Sequence, residues 1–215
     1  METPVIIAGR LVHNLYTTLG ELVERRACCE NLSNSDNRKA LCLKRAAEME
    51  EAVQRGEKPR IHTDDRELYR ALRCHRGLLL CEQLPQRIAS FLSLMAGNPA
   101  DAILFYYSKG SDNAYRWSLS AITKDALPNK AEELGNYAEV ISRECSDEGY
   151  SLTLAFLIKG LEMLGILPGQ VPATYPALLD TIIEMERKGI FIHRKMLILE
   201  YVAALKRLVD GIWKQ

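Results

Sequence analysis

The stretch from Tyr150 to Leu167 is the most apolar part of the chain, and it limits the possible folds more than any other feature. Apolar side chains recur through it so densely that a helix over these residues would have almost no polar side. A helix that is apolar nearly all round is normally buried. Lys159 and Glu162 interrupt the stretch, and it is too short to span a bilayer. We therefore predict a buried central helix over residues 150–167, around which the other helices pack.

Most of the remaining chain repeats apolar residues every three or four positions, which is the period of an amphipathic helix. The first run begins at Thr3-Pro4, where Thr suits the cap and Pro suits the first helical position. Ser146-Asp147-Glu148 should cap the buried helix in a similar way. No stretch alternates convincingly enough to predict a strand. We predict an all-α protein, an irregular multi-helix bundle of about eight or nine helices.

Gly97-Asn98-Pro99 is the clearest break between two predicted helices, and Asn98 is suited to cap the second of them. A division there gives an N-terminal helical lobe over residues 1–96 and a C-terminal helical lobe over residues 99–215. Packing of all the helices into one domain is an equally good interpretation, because the predicted connections are short throughout.

The charge of the chain is balanced overall but not locally. Its 28 Lys+Arg match its 28 Asp+Glu, which excludes a general attraction to nucleic acid or to membranes. Residues 131–186 hold 10 acidic against 2 basic side chains, whereas residues 187–215 hold 7 basic against 2 acidic ones. Such a bipolar arrangement favours oriented partners or self-association.

The last predicted helix could serve either of two contacts. It could fold back and neutralise the acidic helices of its own molecule, or it could contact a second molecule head to tail. In the second case its apolar face would supply most of the affinity, because exposed charge pairs contribute little. That face carries Leu197, Tyr201, Leu205 and Leu208.

The six cysteines show no spacing that identifies a metal site or a disulfide framework. They stand at Cys28, Cys29, Cys42, Cys74, Cys81 and Cys145. No paired C-x-x-C spacing is present, and the N-terminus lacks the pattern of a secretory signal. We therefore predict reduced, buried thiols, no bound metal, and an intracellular location that is cytoplasmic rather than nuclear.

No residue pattern indicates a reaction. The sequence contains neither H-E-x-x-H nor G-x-S-x-G, and Lys109-Gly110-Ser111 has the wrong order for a phosphate-binding loop. Acidic pairs such as Asp64-Asp65 stand where helix caps need them. We predict a non-enzymatic protein with no catalytic residue and no cofactor.

Aromatic and basic residues are interleaved between Phe105 and Trp117, where five of the 15 aromatic residues of the chain lie within thirteen positions. Aromatic rings can stack on unpaired bases, while Lys and Arg neutralise phosphates. The turn over residues 108–113 would also offer backbone N–H groups at a helix start. The alternative is that the rings belong to the core. The candidate residues here are Tyr107, Lys109, Tyr115 and Arg116.

Two further basic groups are candidates for phosphate or anion binding. The first is an arginine stripe at helical spacing, for which the alternative is an ordinary solvated face. The second lies near a predicted helix start, where positive charge opposes the helix dipole. The stripe consists of Arg66, Arg70, Arg73 and Arg76, and the second group of Arg187, Lys188, Arg194 and Lys195.

These patterns predict a helical binding protein for RNA or single-stranded nucleic acid that could also self-associate through its C-terminal helix. The alternative is a protein–protein interaction scaffold or adaptor with no nucleic-acid role. Neither hypothesis includes a membrane partner.

Overall fold

The computed structural model describes residues 2–32 and 36–213, and within these the chain folds into eleven α-helices, one 3-10 helix and no strand. The prediction of an all-α protein is confirmed. The helices are α1 (Pro4–Glu24), α2 (Asp36–Gln54), α3 (Arg66–Leu80), α4 (Leu84–Gly97), α5 (Pro99–Lys109), α6 (Asp112–Thr123), α7 (Ala131–Ser146), α8 (Tyr150–Met163), α9 (Tyr175–Arg187), α10 (Ile190–His193) and α11 (Lys195–Trp213), with the 3-10 helix at Ala27–Cys29.

Local hydrogen bonds set several helix starts as the sequence predicts. Thr3 caps α1 by accepting the N–H of Ile6 at 3.4 Å. Asp65 caps α3, and Asn98 caps α5 by accepting the N–H of Ala100 at 3.1 Å. No described helix is long and apolar enough to cross a membrane.

The number of helices exceeds the predicted eight or nine. One reason is α10, whose single turn is too short to produce a periodic pattern. Gly189 precedes it with a φ of 65°, a left-handed conformation that glycine adopts at little cost. The first helix is also shorter than expected, because Arg26 turns into the left-handed region with a φ of 46° and a 3-10 turn follows.

Helix α8 is buried over most of its length, and it packs against α1, α4, α5, α6, α7 and α11. It ends at Met163, earlier than the apolar pattern indicates, because Gly165 takes a φ of 67° and reverses the chain. Its predicted cap is wrong. Gly149 stands at the N-cap without a side-chain bond, and the carboxylate of Glu144 instead accepts the N–H of Leu152 at 2.9 Å.

The buried side chains form one large cluster and one small one. The large cluster joins α1, α3 and α4 to the helices that follow residue 99. The small cluster lies where α2, α3 and the 3-10 helix meet, and it includes Met49, Leu68 and Leu72. The division into lobes at residues 97–99 stays a prediction.

The six cysteines form three disulfides, so the prediction of reduced thiols is wrong. Cys28 and Cys29 face different sides of the chain, and for this reason they reach different helices. The first bonds to α3 and the second to α2, with Cα–Cα distances of 5.8 and 5.9 Å. A third disulfide joins Cys81, after α3, to Cys145 in α7, with 4.4 Å between Cα atoms. The sequence separations of 46, 13 and 64 residues follow no motif.

Candidate functional site

The aromatic–basic segment between Phe105 and Trp117 is mainly part of the core. Tyr115 is completely buried, and its hydroxyl donates to the carbonyl of Pro172 at 3.0 Å. Tyr107 is half-buried and packs on the ring of Tyr175, with 4.4 Å between centroids. Burial raises the pKa of the Tyr115 hydroxyl. Neither ring is therefore free to stack on a base in this structure.

Two N–H groups at the turn before α6 are already bonded within the molecule. The N–H of Ser111 donates to the hydroxyl of Ser151 at 3.0 Å, and the Ser111 hydroxyl caps α6 at the N–H of Ala114. Gly110 lies so close to Ser151 and Tyr175 that an added Cβ would fall 2.0 Å from the Tyr175 hydroxyl oxygen. These contacts serve packing between α5, α8 and α9.

The basic residues of this segment remain at the surface. Lys109 is exposed, with its amine 5.9 Å from the centroid of the Phe105 ring. Arg116 is exposed too, but its Nε lies 3.2 Å from a carboxylate oxygen of Asp112. The structure therefore separates the cations of the segment from its buried tyrosines.

The arginine stripe lies along α3, and three of its four members form ion pairs. Arg70 donates to Glu139 of α7, with 2.8 Å between Nε and Oε1. Arg73 lies 2.9 Å from Asp147, and Arg76 lies 3.6 Å from Glu82.

Arg66 is the fourth member of the stripe; it is exposed and has no ion pair within the described residues. The arginine stripe and the acidic segment over residues 131–186 thus partly neutralise each other, because α3 packs directly on α7.

The second basic group occupies the turn between α9 and α11. Lys188 pairs with Glu184 at 2.6 Å. Lys195 donates from Nζ to the carbonyls of Ala96 and Gly97, both at 2.8 Å. Its ammonium therefore lies at the C-terminal end of α4, where positive charge is favourable. Arg187 and Arg194 are exposed, and neither has an ion pair in the part of the chain that the structure describes.

The apolar face predicted for the last helix is used inside the molecule. Tyr201 and Leu205 are each no more than 1% exposed, while Leu197 and Leu208 are half-buried. The helix packs against α1 and α4 rather than against the acidic α7 and α9. Tyr201 and Leu205 are therefore not free for a head-to-tail contact, and self-association through α11 stays a prediction.

A different apolar surface is left uncovered, and the sequence patterns did not identify it. Its first part is a cavity of about 480 Å³ between α4 and α5, which we call the groove. Leu94 and Phe105, 44% and 46% exposed, form its apolar walls. The other lining residues are Ser93, Gly97, Asn98, Asp101 and Ala102.

Its second part is the turn over residues 187–196, which we call the corner. Here Ile192 and Met196 are 75% and 78% exposed, more than any other large apolar side chain of the described residues. The corner adjoins the groove, because Lys195 bonds to the carbonyl of Gly97, which lines the groove. Helical periodicity could have predicted the exposure of Met196, because it lies off the helix face that carries the buried Ile198, Tyr201 and Val202.

Two further cavities are larger than the groove, but their charged side chains are mostly neutralised. One, of about 570 Å³, has the Cys28–Cys74 disulfide in its wall, and its Glu30 and Glu139 pair with Lys39 and Arg70. The other, of about 740 Å³, lies beside Trp213 and contains Glu82, which pairs with Lys58.

Two titratable groups are buried without forming a catalytic arrangement. Burial raises the pKa of the Glu144 carboxyl to about 7. Burial also lowers the pKa of His75, whose Nε2 lies 3.0 Å from a carboxylate oxygen of Glu50. Within residues 2–32 and 36–213, no three acidic, histidine or cysteine side chains are grouped as metal ligands.

Comparison with known proteins gives no match to a family model, a curated protein or a solved structure. Function must therefore be inferred from the geometry of the chain itself.

Proposed function

We propose that this chain is a non-enzymatic protein-interaction scaffold or adaptor whose binding surface is formed by the groove and the corner. The observation that carries the proposal is the exposure of large apolar side chains on two adjoining parts of the fold. A contiguous exposed apolar patch commonly marks an interaction site. Arg187 and Arg194 would form part of its polar rim, as in many protein interfaces.

Nucleic-acid binding, the other function that the sequence predicts, has less support. Arg70, Arg73 and Arg116 would have to leave their ion pairs before they could neutralise phosphates. Tyr115 is buried, so it is not available for stacking. RNA binding stays a prediction that the geometry does not test.

The disulfides also bear on the compartment in which the protein functions. Disulfides persist in oxidising compartments and are generally reduced in the cytosol. The sequence predicted reduced thiols in an intracellular, cytoplasmic location because it lacks a secretory signal pattern, and the reduced thiols are not found. We therefore place the scaffold in an oxidising compartment, with Cys28–Cys74, Cys29–Cys42 and Cys81–Cys145 formed.

The proposal is tested by capture with matched variants. The oxidised chain, its Met196→Asp variant and its Leu41→Asp variant are immobilised and exposed to an extract of the source cells or fluid. Leu41 is 41% exposed on α2, away from the groove and the corner, and it controls for the loss of an exposed apolar side chain. We expect at least one protein to be retained by the wild type and by Leu41→Asp but lost by Met196→Asp.

Binding to a random single-stranded oligonucleotide supplies the opposing measurement. Phosphate contacts make affinity fall steeply as salt rises. We expect no saturable binding at low salt. Salt-dependent oligonucleotide binding that Met196→Asp leaves unchanged, together with no protein lost by that variant, would overturn the proposed function in favour of a nucleic-acid one.

A further inference from the structure

We propose that the partner of the groove and the corner is a second copy of this chain, paired about a two-fold axis so that the corner of each copy enters the groove of the other. The inference rests on the proposed function, because it names the occupant of the same surface. It replaces the head-to-tail contact that the sequence predicted, since the apolar face of α11 is already buried.

The corner has the form of a fixed protrusion. Phe191 anchors it in the core with 1% exposure, and the N–H of Arg194 bonds to the carbonyl of Ile190 at 2.9 Å. The two bonds from Lys195 to the end of α4 hold its other side. Ile192 and Met196 are therefore presented on an ordered turn, so little backbone entropy would be lost when they become buried.

The groove has the size and the chemistry to receive these side chains. Its volume of about 480 Å³ lies within the range of pockets that bury small ligands. Leu94, Ala102 and Phe105 supply apolar contacts, and the only charged side chain in its lining is that of Asp101. Burial of exposed apolar side chains on both partners is the main favourable term in such a contact.

The position of the two features decides the symmetry. A protrusion and a depression that adjoin each other on one face can both be filled by a single second copy. Each corner–groove contact then occurs twice, and the dimer leaves no groove and no corner unoccupied. The packing of α11 on α4, together with the bond between Lys195 and Gly97, keeps the two features side by side.

The charges of the surface fit the same arrangement. Asp101 is exposed in the first turn of α5, where it accepts the side-chain N–H of Asn98 at 2.8 Å and has no basic partner in the described chain. Arg194 on the corner likewise has no acidic partner there. When a corner enters a groove, Arg194 of one copy would approach Asp101 of the other, and this pair would help to fix the register.

Other occupants fit the surface less well. A nucleic acid would leave Ile192 and Met196 without apolar contacts. A bilayer surface could take up these two side chains, and Arg187 and Arg194 would favour an anionic one, but it would leave Asp101 and the apolar walls of the groove without partners. A second copy satisfies the apolar side chains and the carboxylate together.

The test is the association state of the oxidised full-length chain, measured by sedimentation equilibrium from low to high micromolar concentration. We expect a monomer–dimer equilibrium with no larger species. Ile192→Asp and Met196→Asp should each raise the dissociation constant by about tenfold or more. Leu41→Asp should leave it unchanged, because α2 packs on α3 and the 3-10 helix, away from this surface.

A charge exchange tests the orientation of the two copies. Arg194→Glu alone and Asp101→Arg alone should each weaken the dimer about threefold to fivefold. The two substitutions together should restore it, because the pair then re-forms with reversed sign. Restoration would not occur if the two residues contacted different groups instead of each other.

Several results would overturn the inference. They are a wild type that stays monomeric throughout, a dimer that both corner variants leave intact, growth beyond the dimer, or failure of the charge exchange to restore association. Binding of the monomer to phosphatidylserine vesicles that Met196→Asp abolishes would also overturn it, in favour of a membrane. If the chain is monomeric but still captures a protein through Met196, only the identification of the partner as a second copy would be overturned. The proposed function would then stand.

Discussion

The region around α2 and the region around α8 are stabilised by different means. Helix α2 buries Cys42, Ala46 and Met49 and contributes only to the small core cluster. Helix α8 has ten buried residues and lies within the large cluster. All three disulfides have at least one end between residues 28 and 81, and none involves α8.

The difference shows how covalent links substitute for buried apolar area. A segment with few buried side chains gains little from the hydrophobic effect, so restriction of its unfolded state contributes a larger share of its stability. A segment surrounded by six other helices needs no such restriction. Destabilising substitutions in the two regions should therefore have different effects on the free energy of unfolding and on local amide protection.

The largest effect is expected from Phe156→Ala in α8. Phe156 is completely buried, and removal of its ring leaves a cavity in the large cluster. The free energy of unfolding should fall by about 3–5 kcal/mol. Urea denaturation followed by circular dichroism measures the loss, at a concentration where the wild type is monomeric. Phe105→Ala is the matched control, because Phe105 is 46% exposed and should cost about 1 kcal/mol or less. Equal losses would contradict the assignment of the large cluster as the main source of stability.

The next effect concerns the Cys29–Cys42 disulfide, whose ends are 13 residues apart in sequence. Replacement of both cysteines by Ser should cost about 3 kcal/mol in the chain-entropy description. Unlike Phe156→Ala, this change should act mainly on α2. Native-state hydrogen exchange should show faster exchange of the α2 amides while the α8 amides keep their protection. Loss of protection in both helices to the same degree would show that the two regions unfold as one unit.

The features that could be predicted from the sequence are the local ones. The caps at Thr3, Asp65 and Asn98 each join groups two or three residues apart, so the sequence itself brings donor and acceptor together. The all-α class follows from a helical period that repeats through most of the chain. Burial of Tyr115 was predictable too, because it stands three and seven positions before Ser118 and Ile122 on one face of α6. Tyr115 was instead predicted to stack on bases, because aromatic residues are enriched in this segment.

The features that could not be predicted join distant parts of the chain. The Arg70–Glu139 pair and the Cys81–Cys145 disulfide span 69 and 64 residues, and each depends on how α3 meets α7. The groove and the corner adjoin because α11 packs on α4, where Lys195 bonds to the carbonyl of Gly97, 98 residues earlier in the chain. Helical periodicity states which face of a helix is buried, but not which other helix covers it.

A third prediction concerns Glu144, which lies beside the Cys81–Cys145 disulfide at the junction of the two regions. Burial raises the pKa of its carboxyl from an ordinary 4.5 to about 7, so the folded protein holds this proton more tightly than the unfolded chain. The associated stabilisation is complete below about pH 4.5 and is lost as the pH rises through about 7, by at most roughly 3 kcal/mol. Glu144→Gln keeps the shape of the side chain and should remove this part of the pH dependence.

Denaturation of the wild type and of Glu144→Gln at several pH values between 4.5 and 8 checks this expectation. The advantage of the variant over the wild type should grow as the pH rises. Glu133→Gln is the control, because Glu133 is exposed on the same helix and pairs with Lys130 at 3.3 Å. A constant difference between Glu144→Gln and the wild type would mean that folding does not raise the pKa of this carboxyl.

The smallest effect is expected from the ion pair between Arg70 of α3 and Glu139 of α7. The arginine side chain is 73% exposed, so water and salt screen the pair, and its coupling energy should be about 0.2–1 kcal/mol. A double-mutant cycle with Arg70→Ala and Glu139→Ala measures that coupling, which should shrink as the salt concentration rises. The Cys81–Cys145 disulfide already joins the end of α3 to α7, and loss of the ion pair should therefore leave the α3–α7 contact in place. A coupling of several kcal/mol would mean that the ion pair, rather than the disulfides and the buried side chains, holds α3 against α7.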